Sequence, residues 1–162
     1  MSSSILTTHV GSLPRSKELS ELLFAKDKKE NFDQDIFNYV VKKNVEEVVK
    51  QRMSNMSKIK AYTTKMYPLT MSGEFEEIKK LNDELLHLAQ EFKLLFPEGT
   101  QGGKASSLIW EEREKFDLFN DNFIGSIENI GKSISDEDSV SLVENFNIMA
   151  SNCGTCHKKF RN

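Results

Sequence analysis

Apolar residues recur at threes and fours over most of this chain, with charged and polar residues between them, and strand-type alternation is scarce. From Gln34 to Met66 the positions Ile36, Val40, Val41, Val45, Val48 and Val49 form one such stripe, which predicts a first long helix. Pro68 and Gly73 punctuate it, and Ser72 is placed to cap the next element. Phe75, Ile78, Leu81, Leu85, Leu88, Phe92 and Leu95 predict a second helix. The stretch Phe96 to Gly103, rich in glycine and holding Pro97, reads as a loop. A third helix starts near Ser107 and carries Phe116, Phe119, Phe123, Ile127, Ile130 and Ile134. Ser135-Asp136-Glu137-Asp138 breaks that stripe and supplies cap oxygens and helix-start acids for a fourth, in which Val140, Val143, Phe146 and Met149 lead to Cys153. Four amphipathic helices with short connections predict an all-α, antiparallel four-helix bundle. Closing the four into a ring makes the first helix the neighbour of the fourth.

Composition narrows the function more than the fold. The 162 residues suffice for one buried core. A net charge of −3 offers no concentrated excess of Lys and Arg, so nucleic acid is set aside as a partner. No apolar run approaches the roughly eighteen residues of a membrane helix, so no membrane span is expected. The two cysteines, Cys153 and Cys156, stand three apart near the end of the chain with His157 directly after.

Cys153-Gly154-Thr155-Cys156-His157 has the form of a c-type haem attachment site. On a helix, positions i, i+3 and i+4 share one face, so both thiols and the imidazole address one object. Two thiols can add across two vinyl groups as thioethers, and the adjacent imidazole can reach the iron as proximal ligand. Gly154 and Thr155 are small enough to let a porphyrin edge approach the backbone. A thioredoxin-type pair would need a helix after it, and only five residues follow His157. A structural zinc site needs four ligands, and only His9 and His87 remain, far away in sequence. A disulfide across three residues closes a very small loop. The expected cofactor is one haem c, held through Cys153 and Cys156 on the last two turns of the fourth helix, with the first helix supplying the opposite face.

From about Gln51 to Asn162 the chain resembles the class II c-type cytochromes, the cytochrome c′ family. The resemblance is carried by Cys153 to Arg161 (Cys-Gly-Thr-Cys-His-Lys-Lys-Phe-Arg), by the loop Leu95-Phe96-Pro97-Glu98-Gly99-Thr100, by Ile109-Trp110, and by Arg52 followed four residues later by Met56. It implies that Arg52 and Arg161 lie near the haem propionates and that Met56 stands on the distal side of the iron. With Leu or Phe at that distal position, family members are five-coordinate and bind nitric oxide or carbon monoxide. With Met, the thioether closes the sixth position and the protein carries electrons. The resemblance therefore implies a single-haem electron carrier ligated by His157 and Met56, exchanging electrons with redox partner proteins and turning over no substrate. The alternative is a five-coordinate gas-binding cytochrome c′, with Met56 an ordinary space-filling methionine; Met53, one turn earlier, is a further candidate ligand. Family members often dimerise through their first two helices, so a homodimer is implied as well.

The start of the chain fits that family poorly. Thr7 to Arg15 and the residues that follow, to about Val49, resemble the N-terminal opening of cobalamin-independent methionine synthase-like proteins, without that enzyme's zinc-binding half. Residues 1–33 are accordingly expected to be an N-terminal extension, foreign or misassigned, and 34–162 the bundle domain, with the cytochrome resemblance strongest over 51–162. A fused reading frame that never meets haem is the third reading. Haem attachment takes place outside the cytoplasm, which implies a periplasmic protein, although no export signal is read in residues 1–13. Lys158 and Lys159 offer a small positive patch beside the attachment site.

Overall fold

A computed structural model describes residues 16–162, and the expectations for Thr7 to Arg15, His9 included, lie outside them. Among the described residues six helices follow one another: α1 (Lys17–Asp27), α2 (Gln34–Ser72), α3 (Phe75–Leu94), α4 (Leu108–Glu111), α5 (Arg113–Ser135) and α6 (Ser139–Phe160). The four long ones close a ring in which α2 packs on α3, α3 on α5, α5 on α6, and α6 on α2. This is the antiparallel bundle that the stripes predict. The α2–α6 seam is the loosest of the four.

Two apolar clusters fill the bundle. The larger is built from Ile59 and Met66 of α2, Ile78, Leu85 and Leu88 of α3, Ile127 and Ile130 of α5, and Leu142, Phe146 and Met149 of α6. The smaller, Phe96, Ile109, Phe116 and Phe160, lies towards the C-terminal end of α6. Its rings meet edge to face, Phe96 on Phe116 at 4.8 Å and Phe116 on Phe160 at 5.3 Å.

Several boundaries depart from the sequence expectation for physical reasons. Pro68 does not end α2. It stands near the C-terminal end, where its missing N–H forfeits one backbone bond and little helix follows, and the buried Thr70 beyond it donates its hydroxyl to Met66 O. Gly73 then terminates α2 at φ +71, a left-handed conformation suited to glycine, with its N–H on Leu69 O. Ser72 is the last residue of α2 rather than a cap for α3; its hydroxyl donates to Leu69 O and to Glu74. The third predicted helix is broken at Glu112 (φ −115, ψ 50) into α4 and α5. Asp138 caps α6 as expected, accepting from the N–H groups of Val140 and Ser141.

Helix α1, inside the expected extension, is an element that the stripe reading missed. Ser16 caps it through Leu19 N, and Lys26 places its ammonium 4.9 Å from the Phe37 ring centroid on α2. The 39 residues of α2 run about 58 Å, against about 33 Å for the 22 of α6. Since Gly73 adjoins Ser139 at the other end, the surplus of α2 extends beyond the C-terminal end of α6.

Candidate functional site

The loop between α3 and α4 is fastened by side chains because its carbonyls have no helix to serve. Arg52, only 5% exposed, donates Nε–H to Leu95 O, Nη1–H to Thr100 O (2.7 Å) and Nη2–H to the Thr100 hydroxyl. Its guanidinium lies 4.5 Å from the Phe96 ring centroid and 5.4 Å from that of Trp110. Trp110 Nε1–H donates to Pro97 O, and Arg113 Nη1–H to Phe96 O. Burial pushes Arg52 down to about 10, and among the described residues no carboxylate pairs with it. Beyond the turn, Gly102 and Gly103 lie so close to Val49 that an added Cβ would stand 3.1 Å from its methyl groups. Arg52, the Leu95–Thr100 loop and Trp110, recognised separately in the sequence, thus form one packed unit.

Beside this unit a cleft of about 420 Å³ of empty space, partly open to solvent, lies between the two apolar clusters. Cys153, Cys156, His157 and Asn152 of α6 form one side of its lining and Met56 and Ile59 of α2 another; Phe92 of α3 and Phe119, Asn120 and Phe123 of α5 complete it. The structure therefore brings both thiols, the imidazole and Met56 together. The cysteines are free and half-buried. Burial raises the Cys153 thiol and takes Cys156 up to about 11, the neighbouring Cys153 adding to the second shift, so both remain protonated near neutral pH. His157 is pushed the other way, first by burial and then by the charge of Arg161, which keeps a nitrogen lone pair available.

Other candidates fall outside the cleft. Met53 is 66% exposed. Arg52 does not line it, because its side chain is engaged by the loop. Arg161 is exposed just past the end of α6, where its residue bridges to Ala105. His87 is on the outer side of α3, 3.3 Å from Glu91. Lys159 is held 2.6 Å from Glu112, so of the lysine pair only Lys158 is fully exposed. The sequence stripes hold Phe92, Phe119 and Phe123 but not Ile59, Asn120 or Asn152. The two asparagines carried a signal, since each interrupts an apolar stripe at a core-facing position.

The residues fit a covalently held macrocycle. Two unpaired thiols and an imidazole share one helix face, and the remaining lining is mainly apolar with Met56 on α2. Cys153, Cys156 and His157 would hold it.

The family model described as Cytochrome C′ matches residues 47–161. No protein of curated function matches the sequence. Among solved structures, one titled cytochrome c′ is 24% identical with a TM-score of 0.69, covering 73% of this chain and 97% of its own. A nitric oxide complex of a leucine-to-alanine mutant of cytochrome c prime from Alcaligenes xylosoxidans gives 24%, 0.69, 73% and 95%. A ferrous arginine-to-lysine variant from the same organism with bound NO gives 23%, 0.70, 73% and 95%. These likenesses share the fold. None of them supports the methionine synthase resemblance or the methionine-ligated branch.

Proposed function

The chain belongs to the cytochrome c′ family, whose members carry one covalent c-type haem, and from that premise we propose that it binds a small uncharged diatomic, nitric oxide or carbon monoxide, at a haem held by Cys153, Cys156 and His157. The observation that carries this reading is the apolar lining around the thiols and imidazole. Ile59, Phe92, Phe119 and Phe123 present apolar surface to the cleft, and the two lining asparagines direct amide N–H groups onto α5, Asn120 to Phe116 O and Asn152 to Ser126 Oγ. Such a wall suits a weakly polar ligand and gives little to an anion. Two of the three solved structures named above carry bound nitric oxide in their titles, which agrees. A haem held there by Cys153, Cys156 and His157 would supply an iron able to bind the diatomic. His157 contributes a neutral imidazole, and Met56 limits the room on the α2 side.

The electron carrier expected from the Met56 motif is the second reading. Its support is that Met56 lines the cleft, where a thioether is a competent iron ligand. Neither reading involves turnover of a substrate, and both agree with the periplasmic location of the family. No helix is long and apolar enough to cross a membrane among the described residues. Dimerisation through the first long helices, and exchange of electrons with partner proteins, are carried as proposals from the family. We assign Arg52 to the loop and leave Arg161 as the cation for a propionate.

Optical and resonance Raman spectra of the haem-loaded protein test the choice. Gas binding predicts a high-spin ferrous form that takes one carbon monoxide per haem, with spin state unchanged in Met56→Leu. A low-spin ferrous form that carbon monoxide does not displace, converted to high spin by Met56→Leu, would overturn it in favour of the carrier.

A further inference from the structure

We propose that Asn152 is a positioning residue that seats the attachment turn, gripping α6 against α5 one residue before Cys153. The proposal rests on the haem-site reading above. The cleft lies between α6 and α2, whose seam is the loosest in the bundle, so α2 is poorly placed to determine where Cys153, Cys156 and His157 stand. That task falls to α5. Within the turn itself, side-chain hydrogen bonds reach only their own helix, Cys153 Sγ lying 3.9 Å from Met149 O and Thr155 Oγ1 donating to Ser151 O, while Cys156 packs without direction against the smaller apolar cluster. The turn is held at its ends.

After the turn, Phe160 is wedged against Phe116 and Phe119, its carbonyl accepts from Ser106 N at 3.0 Å, and Lys159 reaches Glu112. Before it, Asn152 Nδ2–H donates to Ser126 Oγ at 3.3 Å and to Asn122 O at 3.4 Å. Ser126 is buried and its hydroxyl donates in turn to Phe123 O at 2.6 Å, and Phe123 lines the cleft. The bond therefore ties the wall of the cleft to the helix that bears the ligands. The same pair recurs seven residues away on each helix, where Asn145 Nδ2–H donates to Ser133 Oγ at 2.9 Å, remote from the cleft. Apolar stripes at threes and fours tolerate small rolls and slides of one helix on another, whereas a hydrogen bond loses strength steeply with angle. A polar contact on an apolar seam sets register, as single asparagines do in coiled coils.

The repeat supplies a matched control. Asn152→Ala and Asn145→Ala each remove an Asn–Ser bond and are expected to lower the melting temperature of the haem-loaded protein similarly. Only Asn152→Ala is expected to displace or broaden the iron–histidine stretching band of the ferrous form and to change the association rate of carbon monoxide several-fold. Exchanging the partners, Ser126→Asn with Asn152→Ser, is expected to restore a single band. Indistinguishable bands and rates in Asn152→Ala, Asn145→Ala and wild type would overturn the proposal, as would failure of the exchange to restore the band in a folded protein. Wild type that takes up no haem in a cell equipped for covalent attachment would instead overturn the functional reading beneath it.

Discussion

Replacing Arg52 by methionine should loosen the α3–α4 loop without touching the cleft lining. The stem keeps its length while the guanidinium fork is lost. Leu95 O and Thr100 O then lose buried donors, and an unsatisfied buried acceptor costs about 1–3 kcal/mol. Lost stacking on Phe96 and Trp110 adds about 0.5–2 kcal/mol. Removing a buried cation that has no carboxylate partner offsets part of this. The expected net destabilisation is about 2–3 kcal/mol, or roughly 5–10 °C in Tm for a chain of this size. Thermal unfolding followed by far-ultraviolet circular dichroism on the haem-loaded protein measures it. Limited trypsin digestion should also cut faster after Lys104, just beyond the fastened loop. Arg52→Lys keeps the charge but cannot reach three acceptors from one planar group, so it should resemble Arg52→Met. Refutation would be Arg52→Met unfolding within about 0.5 kcal/mol of wild type, a difference too small for loss of the bonds assigned here, or full rescue by lysine, which would make the charge rather than the fork the relevant property.

Two further outcomes follow from particular contacts. Phe160 is buried edge-on to Phe116 and Phe119, so Phe160→Ala should cost about 3–5 kcal/mol in urea unfolding; a loss below 1 kcal/mol, the scale of a surface change, would show that the smaller cluster collapses readily around the gap. Asp138 caps α6, and its carboxyl is held below the usual range, first by the Ser141 hydroxyl and then by the Ser141 and Val140 amides. A depressed folded-state pKa gives stability that is present above the ordinary carboxylate range and lost as pH falls through the lowered value. Wild type should therefore lose more Tm than Asp138→Asn on acidification from neutral pH to below the ordinary carboxylate range, since asparagine still caps but does not titrate; parallel curves would reject the assignment.

The bundle was legible because its helices bury one face each, and a one-sided stripe such as Phe75 to Leu95 survives in sequence as a period. The attachment turn was legible for a different reason: Cys153, Cys156 and His157 depend on one another within a single turn, so their spacing alone carries the geometry. What sequence hid was long-range. Arg52 and Met56 share a motif and a helix, yet Met56 lines the cleft while Arg52 is drawn to carbonyls of residues 95 and 100. Periodicity assigns a residue to a face, but here neighbouring positions on α2 meet different neighbours, and only the fold decides which. Helix α1 was hidden because its face is short and buries no residue fully, leaving little periodic signal. The cleft was invisible for a related reason. Its lining phenylalanines, Phe92, Phe119 and Phe123, obey the same stripes as residues that are fully packed. What distinguishes them is the space left along the sparse α2–α6 seam, between two clusters that Phe92 touches on both sides. A cofactor bound there would add to the join that Phe92 makes between the two clusters, so its removal should weaken the contact between the aromatic cluster and the rest of the bundle before it unfolds either one.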